Sequence, residues 1–389
     1  MSIHPLNTFP KNSSSQSSPS QSVYSPLTTI LGCEHIPFDR SLWTGRHEPD
    51  ESERARYWYQ LLDSYDNQRV GLVGFACDQG VRRNLGRVGA KTGPNHIRQA
   101  FAKLPCPAVL QDSFITTAAT TALTSLVGDA GDIFCHDGGE LAPDTLEQTQ
   151  AQYSQQVRRI IQQGNLAIGL GGGHAIAYAS YQGLWQAFNA NELTASTAEN
   201  TRANPAPKIG IINFDAHLDI RQAPKGTSGT PFRQIAEHCH AHDQSFHYCC
   251  IGVSQFSNTA ALFDRADELG VTVISDDTCA RASWESIAQQ LSDFIAQVDI
   301  IYVTIDLDGL PASVMPGVSA PAAKGISLDF VERCLEHIFA QGKVKMADIA
   351  ELNPNYDIDG RSSKVAARLL ALMIEYHLLV INKESAASA

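Results

Sequence analysis

The chain has 389 residues, 43% of them hydrophobic and 18% charged, and its 29 Lys and Arg against 41 Asp and Glu give a formal net charge of −12. That acidic balance excludes a basic nucleic-acid binder, because phosphate recognition needs clustered positive charge. No uninterrupted apolar run approaches the roughly 18 residues that span a bilayer, and the most apolar late stretch, Leu369 to Ile381, is broken by Glu375 and His377.

Residues 1–30 carry one charged side chain, Lys11, and the run from Asn12 to Ser22 holds seven Ser, two Gln, one Pro and one Asn. Such a segment buries too little apolar surface to offset its ordering entropy, so a disordered tail is expected, without the apolar core of a signal peptide. One catalytic domain is expected over 31–385. Arg69–Cys77 reads as a buried strand, followed by a helix opening at Thr92 with Pro94 in its first turn. Leu123–Phe134 holds another strand, and Asp144 to Glu147 has capping-box spacing for a helix reaching about Gln163. Asn165–Leu170 (strand), Ala175–Phe188 (helix) and Lys208–Phe214 (strand) follow, the last two separated by a polar insertion, 189–208. Then come Phe246–Val253 (strand), a helix from about Asn258, Val271–Ser275 (strand) and Ser283–Gln297 (helix). The remainder is Asp299–Ile305 (strand), Ser327–Ala340 (helix), Val344–Glu351 (strand) and Ser362–His377 (helix). This alternation predicts an α/β fold, a three-layer α/β/α arrangement with a mostly parallel central sheet whose ligands collect beyond the carboxyl ends of the strands.

Three clusters fall at such ends: Gly171-Gly-Gly-His174, Asp215-Ala-His217-Leu-Asp219, and Asp306-Leu-Asp308. In an extended segment residues i, i+2 and i+4 share a side, so Asp215, His217 and Asp219 can converge, as can Asp306 and Asp308. Any one cluster alone reads equally well as a helix cap or loop anchor. Four carboxylates and two imidazoles brought together would repel and desolvate badly without cations. Carboxylate-rich, thiol-free ligation suits Mn²⁺ or another hard divalent ion, and six ligands fit two ions better than one. The glycine run lacks G-x-G-x-x-G spacing, so it is read as a sharp turn that brings His174 inward.

GGGH, NFDAHLD, TIDLDG and the later MADIAELNP (346–354) resemble the signatures of the arginase/agmatinase (ureohydrolase) superfamily, and the resemblance runs from about Leu42 to Ile381. Within it, LWTGR (42–46), GFACDQGVRRNLGRVGAKTGP (74–94), FDAHLDIR (214–221), SGTPFRQIAE (228–237) and VSAPAAKGIS (318–327) resemble the formimidoylglutamase branch. The resemblance implies an arginase-like fold and two Mn²⁺ per subunit. One ion would be held by His174, Asp215, Asp219 and Asp306, the other by His217, Asp215, Asp306 and Asp308. It further implies that a metal-bridging hydroxide attacks the formimidoyl carbon of N-formimidoyl-L-glutamate, releasing formamide and L-glutamate. Asp219 would relay the proton, and Glu351 would orient the cationic amidine.

The two carboxylates of such a substrate call for cations, and Arg221 and Arg82 are the preferred partners, with Thr230 a third contact. Two positions depart from the family patterns. The proton-shuttling histidine of arginases falls near Phe232, which argues against arginase itself, and Ala175 stands where many formimidoylglutamases carry Glu. The rival readings are a related amidinohydrolase of the arginase, agmatinase or guanidinobutyrase type and a non-catalytic metal-binding relative. Histidines 238, 240 and 242 match no closed zinc pattern and read as solvated. Nine cysteines without a C-x-x-C pair indicate reduced thiols in a cytoplasmic protein. A small-molecule substrate is expected, with neither nucleic acid nor membrane as a partner; homo-oligomers are common in the family.

Overall fold

The computed structural model describes residues 32–114, 126–136, 145–189 and 206–388. The expected tail, most of the 189–208 insertion and the capping position Asp144 lie outside the described residues. The described strands are β1 (Cys33–Ile36), β2 (Leu62–Ser64), β3 (Val70–Ala76), β4 (Val127–Cys135), β5 (Leu166–Gly171), β6 (Ile209–Phe214), β7 (His247–Val253), β8 (Thr272–Ser275), β9 (Ile300–Asp306) and β10 (Val344–Ala350). They form one sheet in the order β1-β4-β3-β5-β10-β9-β6-β7-β8, with β2 paired to β4. Every pairing is parallel except β1 on β4.

The inner strands are nearly continuous apolar runs because both faces are covered. In β6, Ile212 and Phe214 join one core while Ile209 and Ile211 join the other; in β9, Ile301, Val303 and Ile305 alternate likewise with Ile300 and Tyr302. The first core packs against helices Gly93–Phe101, Trp284–Ile295, Leu328–Phe339 and Arg361–Ser388. The second packs against Thr145–Gln162, Ile176–Phe188, Pro231–Ala241 and Ala260–Glu268. Helix starts follow local chemistry: Ser283 and Ser327 each accept an N-cap hydrogen bond, from the N–H groups of Ser286 and Phe330. The short strands β1 and β2 and the one- to two-turn helices Gln79–Arg83, Ala108–Phe114 and Asp276–Arg281 carry too few periodic residues to stand out in sequence.

The last helix continues past the expected end at His377. By length and composition Arg361–Ser385 is apolar enough to cross a membrane. Its apolar stripe is instead core: Leu369, Leu370, Met373, Ile374 and Leu378 are fully buried, and the helix packs on Gly93–Phe101 and Leu328–Phe339. All nine cysteines are free thiols, and all but the half-buried Cys279 are buried.

One buried charge cluster lies away from the strand ends. Arg98 donates from Nε and Nη2 to both oxygens of Asp129, at 2.9 and 3.0 Å, and from Nη1 to Asp132 at 2.6 Å. Trp43 Nε1 adds a 3.0 Å bond to Asp129. Replacing Arg98 with Ala strands two buried carboxylates, so the variant should lose about 3–5 kcal/mol, read from urea denaturation midpoints.

Candidate functional site

The neighbouring strands β5, β10, β9 and β6 occupy the middle of the sheet. β5 runs into Gly171–His174, β6 into Asp215–Asp219, β9 ends at Asp306 with Asp308 just beyond, and β10 is followed by Glu351. Being parallel, they deliver all of these to one edge.

The local backbone does more than alternate. Gly172 and Gly173 donate to the carbonyls of Phe75 and Cys77, both at 2.9 Å, and a Cβ on Gly172 would collide with the Cys77 carbonyl oxygen. None of the three glycines has positive φ. Glycine is therefore required here by close approach to the chain leaving β3, not by the sharp turn expected from sequence. Asp215 Oδ1 accepts from the His217 N–H at 2.7 Å, and Asp306 Oδ1 from the Asp308 N–H at 2.9 Å. Convergence thus comes from tight turns, not from the extended i, i+2, i+4 spacing. Asp219 (φ 49°) and Glu351 (φ 69°) both sit in the left-handed region, a conformation costing on the order of 1–3 kcal/mol for non-glycine residues and concentrated at functional sites.

His174 Nδ1 lies 2.9 Å from Asp219, 3.1 Å from Asp306 and 3.3 Å from Asp215. His217 Nδ1 lies 3.2 Å from Asp308 and 3.5 Å from Asp215. The ligating atoms of His174, Asp215, Asp219 and Asp306 all fall within 4.8 Å of one another, and Asp215, His217 and Asp308 make a second such group. Asp215 belongs to both. Asp306, expected in both sets, joins only the first.

Burial and the neighbouring charges of Asp308 and Asp215 push the Asp306 pKa well above the carboxylate range. Burial, opposed by His217 and reinforced by Asp215, raises Asp308 to about 6. Burial and the Asp306 charge lift Glu351 to about 8. Burial alone would lower His174, but Asp306 and the hydrogen bonds to three carboxylates carry it well above its usual value. The Asp308 charge leads the causes that take His217 to about 12. Asp308 Oδ1 and Glu351 Oε2 are buried with no hydrogen-bond partner. Orphaned oxygens in a carboxylate–imidazole set fit hard divalent ions.

A cavity of about 320 Å³ opens on this cluster and is lined by His174, His217, Asp219, Asp306, Asp308 and Glu351, together with Arg221, Arg87 and residues of the 84–86 and 319–320 segments. Arg221, expected as a carboxylate partner, is among the lining residues. Arg82 does not line it; the short helix Gln79–Arg83 leaves that side chain exposed. Thr230 does not line it either. Its hydroxyl is spent at the start of Pro231–Ala241, donating to Thr227 O or Gln234 Oε1 and accepting from the Thr227 N–H. The loop cation at the cavity is Arg87, turned there after Leu85 (φ 61°). Its guanidinium is held by Ser319 O at 2.9 Å and Val318 O at 2.6 Å, and lies 3.8 Å from the Tyr356 ring centroid. Nothing in the RRNLGR sequence separates Arg87 from Arg82.

Phe232 is fully buried, edge-on to His174 at 5.4 Å and stacked on Tyr248 at 4.3 Å. Ala175 is buried against Gly80, where an added Cβ would come within 2.7 Å of its methyl, so the close approach requires glycine at position 80. Of the histidines read as solvated, His240 and His242 are exposed. His238 is half-buried instead, its ring 4.8 Å from Trp185 and 4.2 Å from His242, and burial followed by the His242 charge lowers its pKa to about 4.

The arginase family model matches residues 68–375. A formimidoylglutamase from Psychrobacter cryohalolentis is 61% identical over 353 residues, covering 89% of this chain and 99% of that protein. One from Aeromonas salmonicida is 43% identical, covering 85% and 96%. Among solved structures, formimidoylglutamase from Bacillus subtilis shares the fold with a TM-score of 0.67 at 21% identity, covering 85% of this chain and 94% of that one. A Trypanosoma cruzi formiminoglutamase solved with Mn²⁺ gives 0.63 at 24% identity, covering 79% and 93%.

Substituting Gly172 with Ala should force the 171–174 segment off β3. The expected result is a stability loss of about 1–3 kcal/mol, the overpacking range, together with loss of divalent-ion binding. Thermal scans with and without added metal would read both.

Proposed function

This chain belongs to the arginase family, and we propose that it hydrolyses N-formimidoyl-L-glutamate to L-glutamate and formamide with two Mn²⁺ ions. The observation that carries this reading is the pair of His/Asp groups sharing Asp215, whose other members line a cavity together with Glu351 and two arginines. His174, Asp215, Asp219 and Asp306 would hold one ion, and His217, Asp215 and Asp308 the other. When bound, the ions make hydroxide available at neutral pH and neutralise the aspartate charge.

The protein's own groups supply the rest. A formimidoyl group is cationic when protonated, and Glu351 is the acceptor for it: Oε1 is taken by the His174 N–H at 2.8 Å, while Oε2 is unpartnered. Asp219 lines the cavity and is placed to take the proton from the attacking water and pass it to the leaving nitrogen. Water adds to the formimidoyl carbon, the bond from that carbon to the glutamate nitrogen breaks, and the nitrogen leaves protonated. Arg221 and the clamped Arg87 face the substrate's two carboxylates. Phe232 carries no proton, which counts against the arginase reading. In this reading the catalytic unit spans 31–385, outside the tail and apart from the 189–208 insertion, and the free thiols suit the cytoplasm.

Mn²⁺-loaded enzyme should release formamide and glutamate from N-formimidoyl-L-glutamate and no urea from arginine or agmatine; urea without formamide would overturn the assignment. Arg221→Ala and Arg87→Ala should each raise KM about tenfold or more, the loss expected from a charged hydrogen bond, with smaller changes in kcat. Steady-state kinetics on the dicarboxylate substrate would show an unchanged KM if either arginine is only surface charge.

A further inference from the structure

Behind His174 runs a buried polar chain that the reaction above does not use. Nδ1 faces Asp215, Asp219 and Asp306, while Nε2 lies 3.1 Å from Thr304 Oγ1. Thr304 on β9 stands directly opposite Asp348 on β10 in the parallel pair, so the two are cross-strand neighbours. Asp348 is fully buried. Its Oδ2 accepts from the Ser180 and Tyr302 hydroxyls, both at 2.6 Å, whereas Oδ1 has no hydrogen-bond partner.

Proton polarity decides what this chain does. A histidine that ligates through Nδ1 carries its proton on Nε2 and donates it. Thr304 Oγ1 receives that proton's hydrogen bond, which leaves its own O–H to be donated, and Asp348 Oδ1 on the facing strand is a buried acceptor still without a partner. Run in the opposite sense, Thr304 would donate to Nε2, and the imidazole proton would sit on Nδ1 among three carboxylates, closing that nitrogen to a cation.

We propose that Asp348, acting through Thr304, is a positioning residue that holds His174 in its Nε2–H tautomer and so keeps Nδ1 open to one of the two metal ions. The inference rests on the reading of His174 as a metal ligand. Asparagine cannot substitute for Asp348: its amide nitrogen would either donate towards Thr304, reversing the chain, or oppose the Ser180 and Tyr302 hydroxyls.

Chelator-stripped wild type, Asp348→Asn, Thr304→Val and Thr304→Ser are titrated with Mn²⁺ by calorimetry and by paramagnetic resonance of the free ion, alongside the melting temperature of each metal-free protein. Asp348→Asn and Thr304→Val should bind one ion about 10- to 100-fold more weakly, the scale of outer-shell losses, and the other nearly as wild type does. Thr304→Ser should restore wild-type binding. Should Asp348→Asn not fold, Thr304→Val decides. Both ions bound within about twofold of wild type would overturn the proposal. So would equal weakening of both ions in step with a falling metal-free melting temperature. Wild type that binds no Mn²⁺ would instead sink the metal reading itself.

Discussion

Asp215, Asp219, Asp306, Asp308 and Glu351 are packed into one crevice with each less than 9% exposed, and an uncompensated carboxylate at that depth costs several kcal/mol. The surrounding structure accommodates this concentration of charge without removing it. Main-chain amides of His174, His217 and Asp308 are turned into donors for Glu351, Asp215 and Asp306. Asn213 contributes a further bond to Asp215 at 3.0 Å. These contacts fix where the oxygens point, yet they leave negative charge in excess. Divalent ions are the species that fit the remainder.

The Arg98 cluster shows the other solution to the same problem. There Asp129 and Asp132 meet a guanidinium supplied by the chain, and the ion group is closed. At the ends of the four central strands the chain supplies imidazoles but no arginine or lysine among the ligating groups. An internal counter-ion yields a structural site, and its omission yields an open one. The parallel sheet makes the difference possible, because four neighbouring strands can all end at the same level while both faces are covered by helices.

Much of this was legible in sequence. The main strands and helices stand out because residues buried on both faces leave continuous apolar runs, and the six His and Asp positions stand out because they follow those runs directly. What escaped was set by chain direction in loops. Arg82 and Arg87 are equivalent as text, yet only Arg87 lines the cavity, anchored on the carbonyls of Ser319 and Val318. Thr230 resembles a substrate contact until its hydroxyl is found occupied at a helix start. Gly172 reads as part of a sharp turn, and only the packing against Cys77 shows that it is a spacer. The link from Thr304 to Asp348 was hidden because strand register, not spacing along the chain, makes them neighbours. Short elements such as β1 leave too few residues for any periodicity.

The left-handed backbone at Asp219 and Glu351 has a consequence for how this protein can vary. Both positions would be more comfortable as glycine, and both lose a buried charge if the carboxylate is removed. Stability and chemistry therefore pull in opposite directions at the same two residues. Selection for a hardier fold alone would erode the active site from the inside, and a screen for thermostable variants of this enzyme would enrich for inactive ones unless turnover were selected at the same time.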